Sequence, residues 1–294
     1  MAVFTQITQD ELATWLAPLN LGALVEFKGI ASGIENSNFF VTLNDGAHNT
    51  TYVLTIFEVL TPEQLPFYLE LMQHLAIKGI PVPRPYADAQ GQLFRPLAGK
   101  PATLVSKLSG SDTATPTPAH CASVGRTLAQ MHLAGRDFPR HQPNLRGLDW
   151  WQMMEDKVSA FLPDHIAELL RDEVAAQTAF AQTPIYKDLP VGAGHCDLFV
   201  DNVLFSDPSN PSFIDFYFAG VDTWLFDLAV TVNDWCINRS TGELLPDHLN
   251  AMVTAYDAVV PLTDNDRAAW GMMLRAAALR FWISRLYDFY RTRE

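Results

Sequence analysis

Positive charge is scarce in this chain. Twenty Lys and Arg stand against 33 Asp and Glu, leaving a formal net charge of −13, and no stretch gathers the basic residues into a patch. A field of that sign repels phosphate backbones and anionic lipid, so nucleic acid and membrane surfaces are excluded as expected partners. Cysteine is also sparse. Cys121, Cys196 and Cys236 are widely spaced, fit no zinc-ligand pattern and are too few for a disulfide framework, which points to a reducing, cytoplasmic setting. Long apolar runs are missing too. The stretch from Phe213 to Cys236 is broken by Asp215, Asp222, Asp227 and Asp234, and Met1 to Pro18 has no basic segment, so neither a membrane span nor a signal peptide is expected.

What remains is a globular composition. The 294 residues are 48% hydrophobic and 18% charged, and at roughly 100–200 residues per domain the length predicts two packed lobes. In the first lobe, Thr8 and Glu11 have the spacing of a capping box that opens a helix through Leu12, Trp15 and Leu16. Leu24 to Ile30, Asn38 to Leu43 and Tyr52 to Phe57 are β-rich, with Asn44, Asp45 and Gly46 turning the last two into a hairpin. Pro62 to Lys78 predicts a helix closed by Gly79, and the prolines of Ile80 to Pro85 predict an extended strap. Residues 1–103 are assigned to this lobe, 104–110 to a connection, and 111–294 to the second lobe. There the periodicity is helical over His120 to Ala134, Trp151 to Phe161, His165 to Gln182, Leu225 to Ile237, Pro246 to Val259 and Asp264 to Tyr290. The aromatic stripe from Arg275 to Tyr290 reads as core. Ala193 to Phe218 breaks the helical pattern with two short β-like runs, Val203 to Phe205 and Phe213 to Phe216.

That island carries the chemistry. His195-Cys196-Asp197 is followed by Asn202 five residues after the acid, and Ile214-Asp215-Phe216 comes later. A loop carboxylate at Asp197 suits a general base for a substrate hydroxyl. The Asn202 amide oxygen and the Asp215 carboxylate are hard oxygen donors suited to Mg²⁺ bridging nucleotide phosphates, whereas zinc would call for Cys or more His. A single loop Asp is usually a turn former; the combination of all these residues favours the functional reading.

The segments HCDLFVDNVLF (His195 to Phe205) and IDFYFAGVDTWLFD (Ile214 to Asp227) resemble the catalytic and metal-binding loops of the aminoglycoside phosphotransferase and choline kinase group. Gly33 to Val41, Arg146 to Trp151 and the phrase from Phe216 to Cys236 are similar to the homoserine kinase members of that group. The resemblance implies an α+β, bilobal protein-kinase-like fold: a small N-terminal antiparallel sheet lobe and a larger, mostly helical C-terminal lobe. It also implies ATP as phosphoryl donor, Mg²⁺, and L-homoserine as acceptor, handled by a monomer or homodimer. Asp197 would be the base, with His195 beside it in the catalytic motif as a brace for the loop more than a proton carrier. Asn202 and Asp215 would hold the metal, and Asp227 would be the buried acid bracing the loop, although an ordinary helix N-terminal Asp fits it equally well.

In the first lobe, Gly33, Ser37 and Asn38 lie on a loop and strand start placed to cover phosphates. Thr55 stands where kinase-like folds usually put a phosphate-holding Lys or Arg, and only Lys28, Lys78, Arg84, Arg95 and Lys100 are basic in residues 1–103. The non-basic residue is a feature the homoserine kinase members share; Lys28 is the nearest substitute in sequence, although a lysine on an exposed strand face is the commoner reading of it. Val200 also departs from the pattern, standing where a basic residue is expected. The run from Leu104 to Leu108, with Val105 and Lys107, is the candidate for reading adenine. An amino-acid acceptor needs an acid for its ammonium and donors for its carboxylate. Tyr217, Asp222, Asn233, Asp234 and Trp235 are the candidates, with Arg146, Arg280 and Arg285 further off. The polar pair Asn233-Asp234 beside Trp235 in an apolar helix reads as facing a cavity. Rival readings are a kinase for choline, an aminoglycoside or a thiosugar, and a nucleotide-binding module without turnover, which Thr55 favours and the intact Asp197, Asn202 and Asp215 oppose.

Overall fold

The structure is a computed structural model describing residues 3–31 and 35–291; Gly33 lies outside the described residues. The chain divides into two compact units, Met1–Ser109 and Gly110–Glu294.

The first unit is built on α1 (Gln9–Leu16), β1 (Ala23–Gly29), β2 (Asn36–Asn44), β3 (Asn49–Phe57), α2 (Leu65–Ile77), β4 (Arg95–Leu97) and β5 (Lys100–Ser106). The strands form one antiparallel sheet in the order β1-β2-β3-β5-β4. Alternation on β2 and β3 sends Phe39, Val41, Leu43, Tyr52, Leu54 and Ile56 to one buried face, where Leu12, Trp15 and Leu16 of α1 cover them. The Thr8 hydroxyl accepts from the Glu11 amide and the Glu11 side chain accepts from the Thr8 amide, closing the capping box at the start of α1. After α2 the chain turns at Gly79 with φ +82°, a left-handed conformation that glycine adopts without a Cβ penalty. Strand β5 extends to Ser106, so the first three residues assigned to the connection are sheet, paired with β3 from Tyr52↔Ser106 to Ile56↔Ala102.

The second unit is mostly helical: α3 (Pro118–Gly135), α4 (Leu148–Ser159), α5 (Asp164–Ala181), the one-turn α6 (Pro184–Lys187), α7 (Trp224–Trp235), α8 (Pro246–Asp257) and α9 (Asp264–Arg291). Helices α3 and α8 pack so closely that a Cβ on Gly125 would stand 2.3 Å from the Met252 carbonyl oxygen. Within the stripe from Arg275 to Tyr290, Ala276, Ala277, Leu279, Arg280 and Ile283 are buried, Phe281, Trp282, Tyr287 and Tyr290 are half-buried, with Phe281 packed on Phe199 and Tyr290 on Phe161, and Phe289 is exposed.

Between α6 and α7 lie two small antiparallel ribbons, β6 (Val191–Gly194) with β9 (Gly220–Thr223), and β7 (Val203–Phe205) with β8 (Pro211–Phe213). The first ribbon escapes a reading by pattern because Val-Gly-Ala-Gly has no alternation. Its glycines serve close approach: a Cβ on Gly192 would meet the Trp224 indole nitrogen at 2.6 Å, and one on Gly194 the Asp227 carboxylate at 2.8 Å. Strand β8 stops at Phe213, two residues short of Asp215, which takes a left-handed conformation with φ 62° before the 3₁₀ turn Phe216–Phe218.

Candidate active site

The loop from His195 to Asn202 is held from beneath by one carboxylate. Asp227, fully buried near the start of α7, accepts from the His195 amide at 2.7 Å and from the Cys196 amide at 2.7 Å. His132 of α3 donates to the same carboxylate through Nε2 at 2.9 Å, and its Nδ1 meets the Tyr256 hydroxyl of α8 at 2.8 Å. Burial pushes the Asp227 carboxyl up, but the hydrogen bond and charge of His132, with His195 and the Cys196 amide, bring it below the ordinary carboxylate value. These bonds pin Cys196 at φ 60°, a conformation rare for a side chain with a Cβ, and turn the chain so that Asp197 faces outward.

His195 takes no part at the surface. Its ring is fully buried, Nε2 donates to the Ile214 carbonyl at 2.8 Å, and burial lowers its pKa, so it is neutral at pH 7. It links the Asp197 loop to the Asp215 segment. The same two segments are joined by the Ile214 amide donating to the Asn202 carbonyl at 2.9 Å.

At the outward face, Asn202 donates through Nδ2 to the Asp197 carbonyl at 2.8 Å and lies 3.4 Å from Asp197 Oδ2. That orientation commits the amide nitrogen to the loop and leaves Oδ1 as a donor for a cation. Asp215, exposed on its left-handed residue, supplies a carboxylate to the segment that Ile214 ties to Asn202. One amide oxygen and one carboxylate are hard donors that fit Mg²⁺ completed by phosphate and water, and no cluster of three or more His, Cys, Asp or Glu occurs among the described residues.

The sequence reading placed no cation directly on Asp197, yet one is there. Arg280 of α9, 5% exposed, donates from Nη2 to Asp197 Oδ1 at 3.2 Å. Val200, where a basic residue was expected, is buried and offers its amide to Asp234 at 2.8 Å. The positive charge thus arrives from a helix 83 residues further on, and the Arg275 to Tyr290 stripe carried no local sign of it.

The side chains at the end of α7 make hydrogen bonds within the second unit. Trp235, 1% exposed, donates from Nε1 to the Leu198 carbonyl at 3.0 Å; Asp234 accepts from the Val200 amide and pairs with Arg239 at 2.9 Å; Asn233 donates to the Leu274 carbonyl at 2.8 Å. These bonds clamp the backbone from Leu198 to Val200 and tie α7 to α9, while Asn233 and Asp234 keep part of their surface exposed. Asp222 accepts from Asn144 Nδ2 at 2.8 Å and from the Thr223 amide at 2.7 Å, and burial pushes its carboxyl up to about 6. Tyr217 lies in the 3₁₀ turn that follows Asp215.

In the first unit, the candidates for nucleotide contact are likewise mostly internal. Ser37 is fully buried; its hydroxyl accepts from the Phe4 and Thr5 amides at 2.8 and 2.9 Å and donates to Glu58 at 2.5 Å, and Glu58 in turn pairs with Lys100. It anchors the segment that leads into α1. Thr55, 3% exposed, donates to Asn38 Oδ1 at 2.8 Å across the β2–β3 ladder, replacing a strand cation by a neutral pair. The Leu104 carbonyl accepts from the Tyr86 amide and the Ser106 amide donates to the Arg84 carbonyl. Val105 is buried opposite Val53, so the backbone from Leu104 to Ser106 is largely committed. Lys107 lies past the end of β5, its ammonium 5.6 Å from the centre of the Phe40 ring.

A five-stranded antiparallel sheet in one unit and, in the other, a mostly helical frame with an Asp-x₄-Asn loop bonded to a buried Asp are the parts of a kinase-like phosphotransferase. Solved structures share this fold: "Amicoumacin kinase hAmiN in complex with AMP-PNP, Ca2+ and Ami" has a TM-score of 0.73 at 16% identity, covering 96% of this chain and 87% of that one. Choline kinase from Cryptosporidium parvum Iowa II has a TM-score of 0.60 at 15% identity, covering 89% and 80%. The model of the "Phosphotransferase enzyme family" matches residues 26–286, and the chain belongs to that family. Among its curated relatives are the homoserine kinase of Cupriavidus necator, 54% identical with 100% of this chain and 90% of the relative covered, and that of Paraburkholderia phymatum, 53% identical with 100% and 92% covered.

Proposed function

We propose that this protein is a homoserine kinase, moving the γ-phosphoryl group of ATP to the side-chain hydroxyl of L-homoserine to give O-phospho-L-homoserine. The observation that carries the substrate is full-length identity of 52–54% to relatives that bear that name. The reaction belongs to threonine biosynthesis, and the enzyme works in the cytoplasm. No described helix is long and apolar enough to cross a membrane.

Asp197 is the base. Its carboxylate is oriented by the Arg280 guanidinium and the Asn202 amide, and it accepts the proton of the homoserine hydroxyl as that oxygen attacks in line. Asn202 Oδ1 and Asp215 would hold Mg²⁺, which when bound would neutralise charge on the ATP phosphates. His195 and Asp227 keep the loop rigid, so that the base reaches the hydroxyl without reorganising. With the Thr55–Asn38 pair in place of a strand cation, backbone amides take a larger share of phosphate binding.

The test is ADP release from Mg-ATP with L-homoserine compared against L-serine, L-threonine, choline, kanamycin and methylthioribose. A kcat/KM preference for L-homoserine is expected. Turnover confined to another acceptor refutes the substrate, and ATP binding with no turnover on any alcohol refutes the catalytic reading.

A further inference from the structure

A second guanidinium stands beside the one on Asp197. Arg146 lies on the segment before α4, its guanidinium carbon 4.5 Å from the centre of the Trp150 ring and 5.9 Å from that of Phe218. The Arg280 guanidinium carbon lies 5.1 Å from the same Phe218 ring and 4.0 Å from Phe281. Two positive groups therefore share one aromatic ring, next to the proposed base. In a chain with 33 acidic residues, Arg146 pairs with no carboxylate among the described residues, and Arg280 pairs with Asp197 alone. A cation half-buried against aromatic rings is costly unless an anion completes it. Burial lowers the pKa of Arg280, Asp197 raises it, and the nearby Arg146 charge lowers it again.

The position of Arg146 is built, not incidental. The Asn144 amide donates to the Val221 carbonyl at 3.1 Å, and Val221 returns its amide to the Gln142 carbonyl at 2.7 Å. The Asn144 side chain bonds Asp222 and accepts the Arg146 amide at 2.9 Å; the Trp151 indole donates to the Arg146 carbonyl at 2.6 Å. Gly220 allows this approach, since a Cβ there would meet the Asn144 Cα at 2.7 Å. The side chain of Asp222, a substrate candidate by sequence, is thus used to set the strap that carries Arg146.

We propose that Arg146 and Arg280 receive the α-carboxylate of the amino-acid acceptor, and so set the side-chain hydroxyl beside Asp197. The inference rests on an amino-acid acceptor, as in the proposed function. The lengths agree. In extended L-homoserine the carboxyl carbon and the hydroxyl oxygen are about 5 Å apart, and Arg280 already touches Asp197 with one of its five donors, leaving the rest of the fork for an oxygen that far away.

The experiment compares L-homoserine with 3-aminopropan-1-ol, the same amino alcohol without its carboxylate, in wild type, Arg146→Gln and Arg146→Lys at saturating Mg-ATP. The wild type is expected to favour L-homoserine. In Arg146→Gln the ratio of the two kcat/KM values falls about 10- to 100-fold, the loss of a charged hydrogen-bonding partner. Most of the change is in KM for L-homoserine, while KM for ATP stays within about threefold of wild type, as expected for loss of a binding contact. Arg146→Lys, which keeps the charge without the fork, falls between. An unchanged ratio in either folded variant overturns the proposal, as does a rise in KM for ATP in place of KM for L-homoserine, which would assign the pair to phosphate. If the wild type ignores L-homoserine but prefers another carboxylate-bearing alcohol, and Arg146→Gln abolishes that preference, the pocket stands and only the substrate is wrong. A wild type that phosphorylates only carboxylate-free alcohols refutes both.

Discussion

Replacing Asp227 by Asn tests the brace under the catalytic loop. The carboxylate accepts three N–H groups: two amides at 2.7 Å and the His132 ring at 2.9 Å. Whichever oxygen becomes NH₂, at least one donor then faces another donor in a fully buried site. Charge-assisted hydrogen bonds contribute about 1.5–3 kcal/mol each, and removing one partner of a buried ionic group costs about 3–5 kcal/mol. The expected loss is about 4 kcal/mol, which at about 2–4 °C per kcal/mol for a unit of this size lowers Tm by about 8–16 °C. Urea denaturation at pH 7.5 measures it. The sign with pH is fixed by the low carboxyl of Asp227 in the folded protein. Its contribution is present above the ordinary carboxylate range and is lost as pH falls through its depressed folded value, so wild type and Asp227→Asn converge below about pH 4. A variant within about 1 kcal/mol of wild type at neutral pH, or a gap that does not shrink on acidification, refutes the account of the brace.

Asp197→Asn is expected to lower kcat by about 10²–10⁴-fold while the protein stays folded by circular dichroism; near-wild-type turnover removes Asp197 as the base. Asp222 has the opposite pH sign from Asp227. With its folded carboxyl raised from 3.8 to about 6, this group's penalty appears as pH rises from about 4 through 6 and reaches about 3 kcal/mol above that range. In Asp222→Asn that part of the slope disappears from urea midpoints taken between pH 4.5 and 7, and its persistence refutes the assignment. Gly125→Ala, a stabilising change in an exposed helix by about 1 kcal/mol, is expected here to destabilise by about 1–3 kcal/mol, because its Cβ would stand 2.3 Å from the Met252 carbonyl oxygen and force α3 from α8. An unchanged or raised Tm would refute that packing.

The parts of the site that are local in sequence were legible in it. Asn202 follows Asp197 by five residues, and the pair is in contact; the capping box at Thr8, the β2–β3 hairpin and the helical periods of the second unit are short-range patterns of the same kind. Two other kinds of feature escaped. Partners far along the chain leave no local mark: Arg280 sits in an ordinary helical pattern, and His132 reads as one more helix residue until folding sets it on Asp227. Polar residues in apolar surroundings, meanwhile, have two explanations that composition does not separate, ligand binding and internal bracing. Ser37, Asn233, Asp234 and Trp235 are each hydrogen-bonded to backbone groups elsewhere in their own unit. The β6–β9 ribbon was missed because its glycines are there for close approach and carry no alternation.

The wide separations within the site bear on how the protein acquires activity. Asp197 meets Arg280 across 83 residues, Asp227 meets His132 across 95, and His132 meets Tyr256 across 124. Contacts of such sequence separation form only after the cost of closing long loops has been met, whereas helices form locally and fast. During refolding from denaturant, helical ellipticity should therefore return well before Asp197 finds Arg280. The chain passes through a state that looks folded by its helices and cannot yet turn over substrate, so the regain of activity marks the last long-range closure in the second unit.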